Sequence, residues 1–113
     1  MAKSRKSKPS VATDKALRFD NDKIRYELIP CEWEEELAKI LTRGAKKYVD
    51  DNWKNSVNTK EHEKWVKRCL GSLRRHLAAW QKGEQIDPEL GTYHMGQVAW
   101  NALVIMWYGM RKK

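Results

Sequence analysis

The feature that most constrains this chain is a stretch near its C-terminal end, residues 92–110, which is apolar around almost its whole circumference. Met95, Val98, Ala99, Ala102, Leu103, Val104, Ile105, Met106 and Trp107 leave few positions free for polar side chains. A helix of that kind must be covered on nearly all sides. The chain has 113 residues, enough for one domain. Two further helical patterns precede this stretch. Over 31–49, Trp33, Leu37, Ile40, Leu41, Gly44 and Tyr48 recur every three or four residues. Over 59–82, Trp65, Val66, Cys69, Leu70, Leu73, Leu77 and Trp80 do the same. Asn58 or Thr59 is expected to cap the second helix, Thr92 the third, and Gly83 to close the second. Three short helices cannot enclose the last one alone. The expectation is therefore an all-α, three-helix unit whose bundle is completed by oligomerisation.

Residues 16–30 lack helical periodicity. Leu17, Phe19, Ile24, Tyr26 and Leu28 alternate with charged side chains, and Asp20-Asn21-Asp22 is turn chemistry. This reads as an extended arm, with a small hairpin as an option, closed by Pro30. Residues 1–15 are Lys, Ser and Ala with one Pro and read as a disordered basic tail.

The net charge of +8 is unevenly placed. Residues 1–18 hold six basic side chains against one acid, and 111–113 form a basic C-terminal end. Residues 19–110 hold 14 basic and 14 acidic side chains, so the expected folded part is neutral. A nucleic-acid-binding fold would carry its positive charge on the fold itself. Contact with nucleic acid through the tails is the alternative reading, and deleting residues 1–15 would separate the two. No apolar run is long enough to span a membrane, and no secretory signal is visible. Cys31 and Cys69 are isolated, which fits a reduced, cytoplasmic setting.

Four groups of residues have chemical potential. Glu32, Glu35 and Glu36 share a side of the first helix; they either hold a divalent cation or complement the helix dipole. His94, Gln97, Asn101 and Tyr108 form a polar stripe on the third helix, which is a core network or the wall of a wet cavity. The 83–91 loop carries Glu84, Asp87 and Glu89, as further metal ligands or as a solvated loop. Lys23, Arg25, Lys46, Lys47, Arg74, Arg75 and His76 are donors that suit phosphate, or a solvated surface. Gly-rich phosphate loops, GxSxG and HExxH are absent from the sequence.

Three blocks make the sequence recognisable: RFDNDKIRYELIP (18–30), EWEEELAKILTRGAKKYVDDNW (32–53) and SLRRHLAAWQKGEQIDPELGTYHMGQVAWNAL (72–103). In this order they resemble the dATP/dGTP diphosphohydrolase family common in phages, which includes the MazZ-type enzymes and is a branch of the MazG-like all-α nucleotide pyrophosphatases. The resemblance covers residues 16–110. It implies a MazG-like, oligomeric enzyme (homodimer or homotetramer) using Mg²⁺ or Mn²⁺, located in the host cytoplasm if phage-encoded. Its reaction would cleave a purine deoxynucleoside triphosphate to the monophosphate and pyrophosphate. By the same resemblance the metal ligands fall on Glu32, Glu35, Glu36, Asp87, Glu89 and His94. Glu35 or Glu36 would activate the water. Lys23, Arg25, Lys47, Arg75, His76 and Asn101 would contact the substrate. Gln97 stands where close family members often carry a second His, and Asp22 where the arm often has Gly.

Overall fold

The computed structural model describes residues 16–19 and 21–113. The reading of 1–15 as a disordered tail, and Asp20 of the turn, lie outside these. Three helices account for the architecture: α1 (Cys31–Lys47), α2 (His62–Gln81) and α3 (His94–Arg111). The regular structure is all-α; among the described residues the extended pairing is an isolated antiparallel bridge between Ile86 and Tyr93. No helix among them is long and apolar enough to cross a membrane. Residues 16–30 form no hairpin there. A single 3₁₀ turn at Tyr26–Leu28 leads into Pro30, which caps α1 with extended backbone.

The helices form where the apolar spacing expects them, but their ends are set differently. Tyr48 leaves helical geometry (φ −120°, ψ −104°), so α1 stops short of residue 49. Neither Asn58 nor Thr59 caps α2. Asn58 adopts a left-handed conformation (φ 55°), and the Thr59 hydroxyl serves the turn itself, donating to the Ser56 carbonyl at 2.8 Å. The helix then starts at His62 behind Glu61, with no side-chain cap. Thr92 does not cap α3 either. It is buried, and its hydroxyl accepts from Gln97 Nε2 at 3.2 Å, so Tyr93 takes the cap position. Gly83 does close α2. With φ at 101° it donates to the Trp80 carbonyl, while Glu84 N–H reaches Ala79, the paired bonds of a Schellman turn.

The main interface lies between α2 and α3, with a smaller one between α1 and α3. Ser72 meets Asn101, and His76 meets His94, so α2 and α3 run antiparallel. Glu36 and Ile40 of α1 meet Gly96 near the start of α3. The core is Cys69, Val104 and Tyr108, with Trp53, Trp65, Trp100 and Trp107 packed around it. Burial pushes the Cys69 thiol up to about 11, so it is a packing residue rather than a nucleophile. Tyr108 is 0 % exposed and ties the 50–58 loop to α3: its hydroxyl donates to the Trp53 carbonyl at 2.6 Å and accepts from Ser56 N–H at 3.2 Å. Trp53 stands edge-on to Trp100 and Trp107, with ring centroids 5.3 and 4.9 Å away. Asn58 pins the far end of α3, donating to the Arg111 carbonyl and accepting from Lys113 N–H.

The described residues do not cover α3 completely. Its α2-facing side is buried (His94, Gln97, Asn101, Val104, Tyr108), but Met95, Leu103, Met106 and Met110 lie exposed on the opposite side.

Candidate active site

The loop between α2 and α3 is short, reversing and internally bonded. Gly83 and Gly91 supply the left-handed backbone (φ 101° and 73°) that other residues adopt at a cost. Asp87 organises the segment between them. Its Oδ1 accepts from the N–H groups of Glu89 (2.8 Å) and Leu90 (3.2 Å), and its own N–H donates to the Thr92 carbonyl at 2.8 Å. His94 N–H donates to the Gln85 carbonyl at 3.0 Å. The loop is thereby folded back over the start of α3, and it carries two carboxylates with it.

Those carboxylates meet two imidazoles. His94, 4 % exposed, places Nε2 at 2.7 Å from Glu84 Oε1 and Nδ1 at 2.9 Å from Nδ1 of His76. Asp87 Oδ2 lies 3.9 Å from His76 Nδ1. One donor atom each from His76, Asp87 and His94 falls within 4.8 Å of the others, a spacing that suits a shared cation. Burial lowers the His76 pKa, and the neighbouring His94 adds to the effect. Partial burial acts to raise the Asp87 pKa. The N–H bonds from Glu89 and Leu90, with the two imidazoles, outweigh it and hold the carboxyl below its ordinary value. The cluster thus favours a neutral His76 ring facing an ionised carboxylate, which is the protonation state of metal ligands.

The acids of α1 reach the same helix start from its other side. Glu36 is half-buried and accepts the Tyr93 N–H at 2.9 Å. Gly96 permits this approach, since a Cβ there would sit 2.8 Å from Glu36 Cγ. Glu32 and Glu35 are exposed, and Glu89 gives the cluster its backbone rather than its carboxylate. Among the described residues no acid of α1 belongs to the His76–Asp87–His94 group.

Beside this region a cleft of about 720 Å³ opens between α1 and α2, with α3 as its floor. Gly44, Trp53, Trp65, Arg75, Trp100 and Asn101 are among its walls. Asn101 is buried; its amide donates to the Gln97 carbonyl at 2.9 Å and to Ser72 Oγ at 3.3 Å. The indole N–H groups of Trp53 and Trp65 are buried without an acceptor among the described residues. Arg75 borders both this cleft and a smaller groove that includes Glu84. Of the other cations, Lys23 and Arg25 are exposed on the arm, with Arg25 paired to Glu27 at 2.8 Å. Lys47 is exposed at the end of α1, 5.4 Å from the Tyr48 ring centroid.

The sequence model described as "dATP/dGTP diphosphohydrolase, N-terminal" matches residues 13–113. The chain belongs to the dATP/dGTP diphosphohydrolase family. A dATP/dGTP diphosphohydrolase of Salmonella phage PMBT28 is 29% identical to it over 91 residues, covering 80% of this chain. The aligned region makes up 29% of that relative, so the chain spans less than a third of its length. No solved structure matches. Within this family member, His76 is the cluster residue that sequence reasoning placed elsewhere, among phosphate contacts. The available signal was topological. A Gly-bounded reversal between two apolar helices makes them antiparallel, which lays His76 beside His94.

Proposed function

We propose that this chain hydrolyses a purine deoxynucleoside triphosphate, dATP or dGTP, between its α and β phosphates. The monophosphate and pyrophosphate are the products. The observation that carries this reading is a nucleotide-sized cleft that leads towards the cluster of acids and imidazoles at the start of α3. Ser72 and Asn101 border the cleft, and His76 lies one turn beyond Ser72, about 6 Å along α2. A nucleoside seated in the cleft can thus direct its phosphates at Glu36 on one side and at Asp87, His76 and His94 on the other.

In this reading the aromatic walls take the purine, with Asn101 and the unpartnered indole N–H groups as hydrogen-bonding partners. Arg75 meets the phosphates at the cleft rim, and Lys23, Arg25 and Lys47 supply further positive charge. Glu35 or Glu36 orients the attacking water and takes its proton as the water oxygen bonds to the α-phosphorus and the bond to the pyrophosphate oxygen breaks. Mg²⁺ or Mn²⁺, when bound, neutralises the phosphates, which the carboxylates would otherwise repel. The donors proposed for it are Glu32, Glu35, Glu36, Asp87, Glu89 and His94. Their oxygen-rich character suits such ions. The bare apolar face of α3 supports assembly as a homodimer or homotetramer, and the phage relative supports action in a host cytoplasm.

Eight common nucleoside triphosphates, each incubated with Mg²⁺ or Mn²⁺ and followed by pyrophosphate release, test the proposal. dATP or dGTP is expected to lead, and Glu36→Gln to lower turnover by about 100-fold with unchanged helicity. Release of orthophosphate instead, or full turnover in Glu36→Gln, would overturn this assignment.

A further inference from the structure

We propose that His76, Asp87 and His94 form a binding site for a first-row transition cation, preferring Mn²⁺, Co²⁺ or Zn²⁺ to Mg²⁺, in which His76 is a ligand rather than a phosphate contact. The inference deepens the metal dependence proposed above and rests on that reading only for its role in turnover.

The argument starts from the atoms that can donate. Glu84 accepts from His94 Nε2 at 2.7 Å, which fixes the proton of the neutral ring on Nε2. The lone pair of His94 is then on Nδ1, turned towards His76. This carboxylate behind an imidazole is the arrangement that orients metal-bound histidines and makes them more basic. Asp87 is fixed in the same way. Its Oδ1 is occupied by two backbone N–H groups, while Oδ2 is the oxygen nearer His76, at 3.9 Å. The third donor, His76 Nδ1, faces both. The side chains of His76, Asp87 and His94 are 14, 15 and 5 % exposed, so the three ligand atoms converge in a largely enclosed place.

Without a cation, His76 Nδ1–H donates to His94 Nδ1 across 2.9 Å. Binding requires His76 to carry its proton on Nε2 instead, which frees a second nitrogen lone pair. Two imidazole nitrogens and one carboxylate oxygen are a mixed donor set. Mg²⁺ demands oxygen and retains water, whereas Mn²⁺ through Zn²⁺ accept imidazole. Gln97, one turn along α3 from His94, is tied to Thr92 by its amide nitrogen.

The metal-stripped full chain is titrated with Co²⁺, followed by visible absorption, and with Zn²⁺, followed by NMR of the imidazole nitrogens. The expected result is one Co²⁺ per chain, displaced by Zn²⁺ and not by millimolar Mg²⁺. The ring signals of His76 and His94 shift together. His62, whose Nδ1 accepts the Asn58 N–H at 2.8 Å, stays unchanged. His76→Asn and Asp87→Asn are each expected to weaken Co²⁺ at least tenfold, Glu84→Gln about 10- to 100-fold, and Glu61→Gln, an exposed change at the start of α2, not at all. The NMR readout needs no variant, so a misfolded substitution leaves the test intact. Zn²⁺ that leaves the His76 ring unmoved, or Co²⁺ affinity equal in a folded His76→Asn chain, would overturn the site and leave a hydrogen-bonded imidazole pair. Pyrophosphate release with Mg²⁺ is measured in parallel. Turnover without Co²⁺ binding removes this site and leaves the hydrolase reading standing, and Co²⁺ binding without turnover does the reverse.

Discussion

Tyr108 shows how much one side chain carries in a small core. Its ring belongs to the buried cluster, while its hydroxyl holds the Trp53 carbonyl and the Ser56 N–H of a loop more than fifty residues away in the chain. Tyr108→Phe keeps the ring and strands both partners. The expected loss is about 1–3 kcal/mol, measured by denaturant unfolding. The pH dependence has a definite sign. Burial raises the phenol above its ordinary value of 10, against the opposing Ser56 N–H. An acid whose folded pKa is raised contributes fully below the unfolded value and loses that contribution as pH rises through the folded one. Above pH 10, therefore, the melting temperature of the unaltered chain should fall more steeply than that of Tyr108→Phe. Parallel curves would show that the phenol does not couple to folding. The sequence placed Tyr108 on a polar stripe with His94, Gln97 and Asn101, and all four are buried. Spacing revealed the stripe but not the partners, because those come from a distant loop and from α2.

At the level of elements, Gly96 sets the distance between α1 and α3. Alanine in place of an interior helical glycine is ordinarily favourable by about 1 kcal/mol. Here the added methyl would lie 2.8 Å from Glu36 Cγ and 3.5 Å from Ile40 Cδ1. Gly96→Ala should reverse the usual sign, costing about 1–3 kcal/mol as α1 is pushed away, with helix content retained. Displacing Glu36 should also reduce pyrophosphate release, by roughly 100-fold for a shift near 1 Å. Thermal unfolding and turnover measured together check this; a stabilised, fully active variant would show that α1 has room to yield. The helices themselves were legible because their apolar residues recur at helical spacing. Their starts were not. Asn58 and Thr92 are good capping types, but Asn58 binds the end of α3 and Thr92 is buried beneath Gln97. A side chain committed to tertiary bonds is lost to local ones, and spacing alone does not reveal the commitment. Likewise the loop acids and His94 stood out in the sequence, while His76 gained its neighbours only when Gly83 and Gly91 turned the chain back.

For the molecule as a whole, the decisive quantity is how little apolar surface one chain hides. Among the described residues, the apolar side chains that are buried are Ile40, Cys69, Val104 and Tyr108. Leu17, Phe19, Ile24 and Leu28 of the arm lie open, as does the α3 face bearing Leu103, Met106 and Met110. In the assembly proposed above, such surface would form the interface. A lysine at Leu103 or Met106 would bury a charge in that contact, so Leu103→Lys and Met106→Lys should shift the solution mass to that of one chain, with unchanged helicity. Light scattering after gel filtration measures it, and an unaltered mass would exclude this face. The grouping of indoles has a practical consequence as well. Trp53, Trp65 and Trp100 border the cleft, and Trp53 touches two other indoles edge-on. Occupancy of the cleft should therefore register in the protein's own ultraviolet emission, giving the molecule a built-in optical gauge that requires no dye.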